Sequence, residues 1–139
     1  APAVTRPYQH RKDSNRALSL RERRSMPEVC EALPVKLTVG NTHKCNLTCP
    51  MCFKQFEPGD NMSYPSLGLQ RFERIAESCF AEADEVVLTV SGEPLISETI
   101  EQELEAGGRY GVRFCVTSNG TPLGVERLRR LVLRHVGTL

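Results

Sequence analysis

The chain has 139 residues, 40% of them hydrophobic and 25% charged, with a formal net charge of +1. That is the size and composition of one globular domain. No apolar run approaches the roughly 20 residues that cross a bilayer, and the N-terminus has no apolar core like that of a secretory signal. The expected setting is therefore cytoplasmic, away from membranes, where six cysteines read as reduced thiols and metal ligands rather than disulfides.

Charge is uneven. Up to Met26 there are seven Lys/Arg against two Asp/Glu; the remainder carries eleven against fifteen. A basic leader can touch nucleic acid or a membrane surface. Apart from Tyr8, however, nothing aromatic is interleaved to stack on bases, which argues against nucleic acid. Residues 1–33 read as a solvated basic extension with a short helix near 15–24.

From Pro34 the chain alternates strands and helices. Residues 35–39 alternate apolar with polar side chains and are rich in β-branched types, which predicts a strand. A cysteine-bearing loop follows and runs out through Pro58-Gly59-Asp60 as a turn-rich stretch. A helix is expected over 66–83, with Leu69, Phe72, Ile75, Ala76, Cys79 and Phe80 on one face. Residues 85–90 are nearly continuous in apolar types, as in a strand buried on both faces. A helix over 97–106 follows, with Ser97 as its N-cap and Gly107-Gly108 as its stop. Residues 112–117 form a third strand, Asn119-Gly120 a turn, and 125–135 a helix with Leu128, Leu131 and Val132 inward. Gly137 ends that helix, and Thr138-Leu139 would begin a fourth strand. Strand–helix repeated three times predicts an α/β fold with a parallel sheet and right-handed crossovers. In such sheets the strand C-termini gather on one edge, where ligands bind.

Three distinctive loops each follow a strand. The first contains Cys45, Cys49 and Cys52 in a C-x3-C-x2-C spacing. Iron–sulfur clusters normally take four cysteine thiolates, so three leave one iron open to an outside ligand. An open position distinguishes catalytic from structural centres. An alternative is a tetrahedral zinc site of three cysteines and His43, although His43 stands only two residues before Cys45. Ferredoxin-type spacings differ and use a fourth cysteine. Cys30, Cys79 and Cys115 stand singly and read as small buried apolar residues. After the second strand, Ser91-Gly92-Glu93-Pro94-Leu95 offers a close backbone approach at Gly92, a carboxylate at Glu93 and a stiff exit at Pro94. After the third come Thr117-Ser118-Asn119-Gly120-Thr121; by themselves these are an ordinary turn.

Together the three motifs resemble the radical S-adenosylmethionine (radical SAM) superfamily. Thr42, Asn46 and Leu47 fit its T-x-x-C-N-L-x-C-x-x-C form. Met51 stands where that family usually has an aromatic residue that meets adenine through its backbone. Ser91-Gly92-Glu93-Pro94-Leu95 is similar to its G-G-E motif, with Ser91 in place of the first glycine. Residues 117–121 are similar to its T-N-G-T element. The resemblance implies that Cys45, Cys49 and Cys52 ligate a 4Fe–4S cluster and that SAM completes it. Gly92, Glu93 and Pro94 would then hold the SAM amino group, Glu93 through a charge-assisted hydrogen bond. Thr117, Ser118 and Asn119 would lie near its carboxylate and ribose. The implied reaction is reductive cleavage of SAM to a 5′-deoxyadenosyl radical that abstracts hydrogen from a substrate. No side chain is assigned as a general acid or base.

The resemblance also implies a fold: residues 34–139 as the first half of a partial (β/α)6 TIM-like barrel, with three βα units and the start of a fourth strand. The expected whole is an oxidoreductase-like enzyme served by a flavodoxin- or ferredoxin-like one-electron reductant. The form Cys-Asn-Leu-x-Cys-Pro leans toward the branch that includes peptide maturases and molybdenum-cofactor enzymes, so a peptide or protein substrate is among those implied. The chain itself, which begins without Met, is expected to be a truncated and inactive part. The contrasting expectation is a non-catalytic zinc- or cluster-binding α/β module.

Overall fold

The computed structural model describes residues 7–57, 59–60 and 62–139; the first six residues of the basic leader and Pro58 of the expected turn lie outside the described residues. Helix α1 (Gln9–Ser25) precedes strand β1 (Lys36–Thr38), and the cysteine loop leads from β1 to α2 (Leu69–Cys79). Strand β2 (Glu85–Val87), helix α3 (Ile100–Tyr110), strand β3 (Arg113–Cys115), helix α4 (Glu126–His135) and strand β4 (Val136–Thr138) follow. The strands form one open sheet in the order β1-β2-β3-β4, all parallel. This is the parallel α/β arrangement expected from the alternation of segments, and its open sheet is consistent with the partial barrel that the resemblance implies. Among the described residues no helix is long and apolar enough to cross a membrane.

Packing of the helices on the sheet follows the apolar periodicities. Phe72, Ala76 and Phe80 from α2 and its end, Leu104 from α3, and Leu128 and Val132 from α4 are buried against Val86, Leu88, Phe114 and Val116 of the sheet. Phe80 sits at the centre, edge-on to Phe72, Tyr110 and Phe114, a geometry that aromatic quadrupoles favour.

Several helix boundaries differ from expectation; α2, for one, covers Leu69–Cys79 rather than 66–83. Helix α3 starts after Thr99, because the Ser97 hydroxyl is drawn to the buried carboxylate of Glu103 (3.0 Å) instead of capping the helix. It also runs through Gly107 and Gly108 to stop at Gly111, which adopts φ +64°. The two glycines serve close packing. A Cβ on Gly107 would collide with the Phe114 ring, and one on Gly108 with the His135 ring. Gly137, expected to end α4, lies within β4, and the helix stops at His135. Cys79 and Cys115 are half-buried, but Cys30 is exposed rather than buried as expected, on the irregular stretch between α1 and β1.

The basic leader is also less solvated than its composition suggested. Helix α1 is longer than expected and folds back on the domain. Lys12 is only 1% exposed, and its ammonium donates to the carbonyls of Phe80 (2.8 Å) and Ala83 just beyond α2. A cation suits the carbonyl end of a helix. Asn15 donates to the Leu33 carbonyl and accepts from its N–H, both at 2.9 Å, while Arg16 pairs with Asp84. Replacing Lys12 by Met keeps the aliphatic stem and strips these charged hydrogen bonds. The expected cost is about 2 kcal/mol, read as a lower urea midpoint at unchanged slope.

Candidate functional site

The three distinctive loops lie at one edge of the sheet, each after a strand C-terminus. The first is closed at its base by a short pairing of its two arms. Thr42 bridges Ser66, His43 N–H donates to the Pro65 carbonyl (3.2 Å), and Leu67 N–H donates to the Asn41 carbonyl (2.7 Å). Inside it, Cys52 N–H donates to the Cys49 carbonyl at 3.0 Å. That is a β-turn with Pro50 at its second position, where proline presets the backbone. The turn fixes Cys49 and Cys52 on one side and carries Met51 to its tip, 86% exposed.

Cys45, Cys49 and Cys52 are free thiols that line a common cavity of about 370 Å³ with Lys54. Its volume corresponds to roughly a dozen waters, well beyond what one ion needs. Three soft thiolate donors suit iron–sulfur ligation, so the donor set fits such a cluster. Among the described residues no three Cys, His, Asp or Glu side chains converge on a single-ion position. His43, the fourth ligand of the zinc alternative, has its ring Nδ1 2.7 Å from Ser91 Oγ.

The second loop is pressed against the first. Gly92 adopts φ +78°, and a Cβ there would fall on the backbone of His43 and Lys44. Glu93 N–H donates to the Lys44 carbonyl at 2.8 Å. Only glycine allows this approach and this φ together. Ser91, where the related motif has glycine, is not in the left-handed region and is unstrained there. Above the backbone contact, Lys44 pairs with Glu98 at 2.7 Å; that hydrogen bond and the lysine charge hold the Glu98 carboxyl below its ordinary pKa.

Glu93 joins the second loop to the third. It is 1% exposed, and its Oε1 accepts from Leu95 N–H (3.0 Å) and Ser118 Oγ (2.8 Å), its Oε2 from Asn119 N–H (2.6 Å). Asn119 Nδ2 in turn donates to Asn46 Oδ1 (2.9 Å), and Asn46 Nδ2 donates to Thr121 Oγ1 (2.7 Å). The circuit thus returns to the cysteine loop. Thr117 is bonded instead to Thr89, whose hydroxyl accepts from its N–H (2.8 Å) and donates to its carbonyl (3.1 Å). A side chain thereby takes over where the β2–β3 ladder ends. Pro94 is buried, and its carbonyl accepts from Asn41 Nδ2 (3.1 Å).

Several supporting residues were not identified from sequence. Asn41 and Glu103 form a fully buried hydrogen bond of 2.7 Å behind the second loop. Glu103 was detectable: it shares the apolar face of α3 with Ile100, Leu104 and Gly107, where a carboxylate needs partners. Lys54 gave no such signal, because the loop around it has no periodicity.

No model of a known protein family matches the chain, and no curated protein matches it in sequence. Solved structures do match in fold. A crystal structure of selenomethionine BtrN in an open conformation superposes with a TM-score of 0.61 at 18% identity, covering 76% of this chain and 48% of that one. BtrN in complex with AdoMet and 2-DOIA gives 0.62 at 18% identity, covering 75% and 43%. Streptococcus suis SuiB bound to the precursor peptide SuiA gives 0.53 at 19% identity, covering 86% and 25%. BtrN and SuiB are radical SAM enzymes. The chain spans less than half the length of each. Its fold is therefore similar to part of the fold of two radical SAM enzymes.

Proposed function

We propose that the chain is the first part of a radical SAM core, with Cys45, Cys49 and Cys52 holding a 4Fe–4S cluster and the loops after β2 and β3 seating SAM. The observation that carries this is the hydrogen-bonded circuit. The cysteine loop, Glu93, and the Ser118-Asn119 turn form one connected surface at the strand ends. When bound, the cluster and SAM supply one-electron cleavage of the sulfonium and a 5′-deoxyadenosyl radical that takes hydrogen from substrate.

The residues of the chain bind and orient. Cys45, Cys49 and Cys52 would hold the cluster and would leave one of its irons without a protein ligand. An ionised carboxylate has about four acceptor positions, and Glu93 uses three within the protein, so one on Oε2 remains for the SAM ammonium. Its buried bonds to the third loop hold that acceptor still. Gly92 and Pro94 keep the second loop rigid beside it. Met51 contributes backbone at the tip of the cysteine turn, and Thr117, Ser118 and Asn119 contribute the polar wall. The likeness to SuiB extends the proposal to a peptide or protein substrate, with a flavodoxin- or ferredoxin-like reductant. The cytoplasm is the compartment that keeps these thiols reduced. The activity is proposed for the full-length protein, since the chain spans less than half the length of each solved structure that it resembles.

Anaerobic reconstitution with iron and sulfide, followed by metal analysis and electron paramagnetic resonance, tests the reading. About four irons per chain and a reducible signal are expected. One zinc per chain without a reducible signal would instead establish the binding-module alternative.

A further inference from the structure

We propose that Lys54 is a positioning residue that braces the cysteine loop in its cluster-ready shape; the inference rests on the cluster assignment above. The Lys54 side chain is 2% exposed, although Met51, Phe53 and Phe56 around it stand in solvent. Lysine is among the residues least often fully buried unless its charge is paired. Here the ammonium donates to the His43 carbonyl at 2.5 Å, lies 4.0 Å from the Tyr64 ring centroid and 3.8 Å from Glu57 Oε2. Tyr64 and Glu57 are themselves hydrogen-bonded, and burial together with that carboxylate raises the Tyr64 pKa.

The position in sequence gives this cluster its meaning. His43 stands two residues before Cys45, and Lys54 two residues after Cys52. One hydrogen bond therefore ties together the two ends of the segment that carries every thiol of the site. Ordering a free loop of this length costs conformational entropy. A brace made before metal arrives removes that cost from cluster assembly. The bonds between segments 41–43 and 65–67 close the wider excursion without Lys54, so its loss should loosen the thiols and leave the domain folded.

The test compares Lys54→Met and Lys54→Gln with the parent in the full-length protein, each reconstituted anaerobically with iron and sulfide. Iron and sulfide per chain, decay of the cluster's visible absorbance under a chelator, and thermal melting of the metal-free protein are measured. Lys54→Met should melt close to the parent yet lose iron about tenfold faster or more, in the range seen when the supports of metal ligands are removed. Lys54→Gln keeps an N–H for the His43 carbonyl and should recover part of the retention. Unchanged retention in a parent-like Lys54→Met overturns the brace alone, as does a melting loss that accounts for the iron loss. A parent that takes up no iron–sulfur cluster overturns the proposed function, and the brace with it.

Discussion

Replacing Cys49 by Ala should leave the full-length protein unable to retain a cluster, and should reduce 5′-deoxyadenosine formation from SAM to background. In the proposed assignment each thiolate would hold a separate iron, and no other cysteine lines the cavity. The loss should thus be nearly complete for Cys45→Ala and Cys52→Ala as well. Alanine at Cys30, Cys79 or Cys115 provides the contrast: these stand outside the loop and should leave iron content unchanged. Iron and sulfide content with product chromatography under dithionite checks the series. A normal 5′-deoxyadenosine yield from Cys49→Ala would refute the assignment.

Gly92→Ala should destabilise far more than Gly120→Ala, although the two glycines have almost the same φ, +78° and +77°. A Cβ at Gly120 meets nothing within 4 Å, so only the left-handed conformation is penalised, by about 1 kcal/mol. At Gly92 the same penalty applies, and the Cβ must also displace the backbone of His43 and Lys44, 2.8 Å and closer. Backbone held by the pairing of segments 41–43 and 65–67 cannot rotate away as a side chain would. The combined cost is about 3–5 kcal/mol, a large part of the stability of a domain this size. Thermal melting should show a drop of roughly 10 °C or more at Gly92, against a few degrees at Gly120. Equal drops would mean that the second loop is not pressed on the first.

Both predictions rest on positions that stood out in the sequence. The cysteine spacing and the Gly92-Glu93 pair were legible because their chemistry depends on residue type at short separation. The order and direction of the strands were legible from alternating apolar segments. Less accessible was anything decided by contact across the fold. Gly107-Gly108 looked like a helix stop because local propensity favours that use, yet the pair admits Phe114 and His135 at close range. The basic leader looked solvated because composition does not reveal that Lys12 and Asn15 would find the carbonyls around α2 and β1. Lys54 was invisible for the same reason: its partners, His43 and Tyr64, lie 11 and 10 positions away with no periodic pattern between them.

The circuit through Lys44, Glu93, Asn119 and Asn46 has a consequence for engineering. Energetic effects of residues in one hydrogen-bond network do not add, so the three loops behave as a single exchangeable part. Grafting the cysteine loop of a homologue onto this sheet would strip Asn119 and Glu93 of partners unless the other two loops came with it. Chimeras that trade all three together should fold and load metal where single-loop exchanges do not.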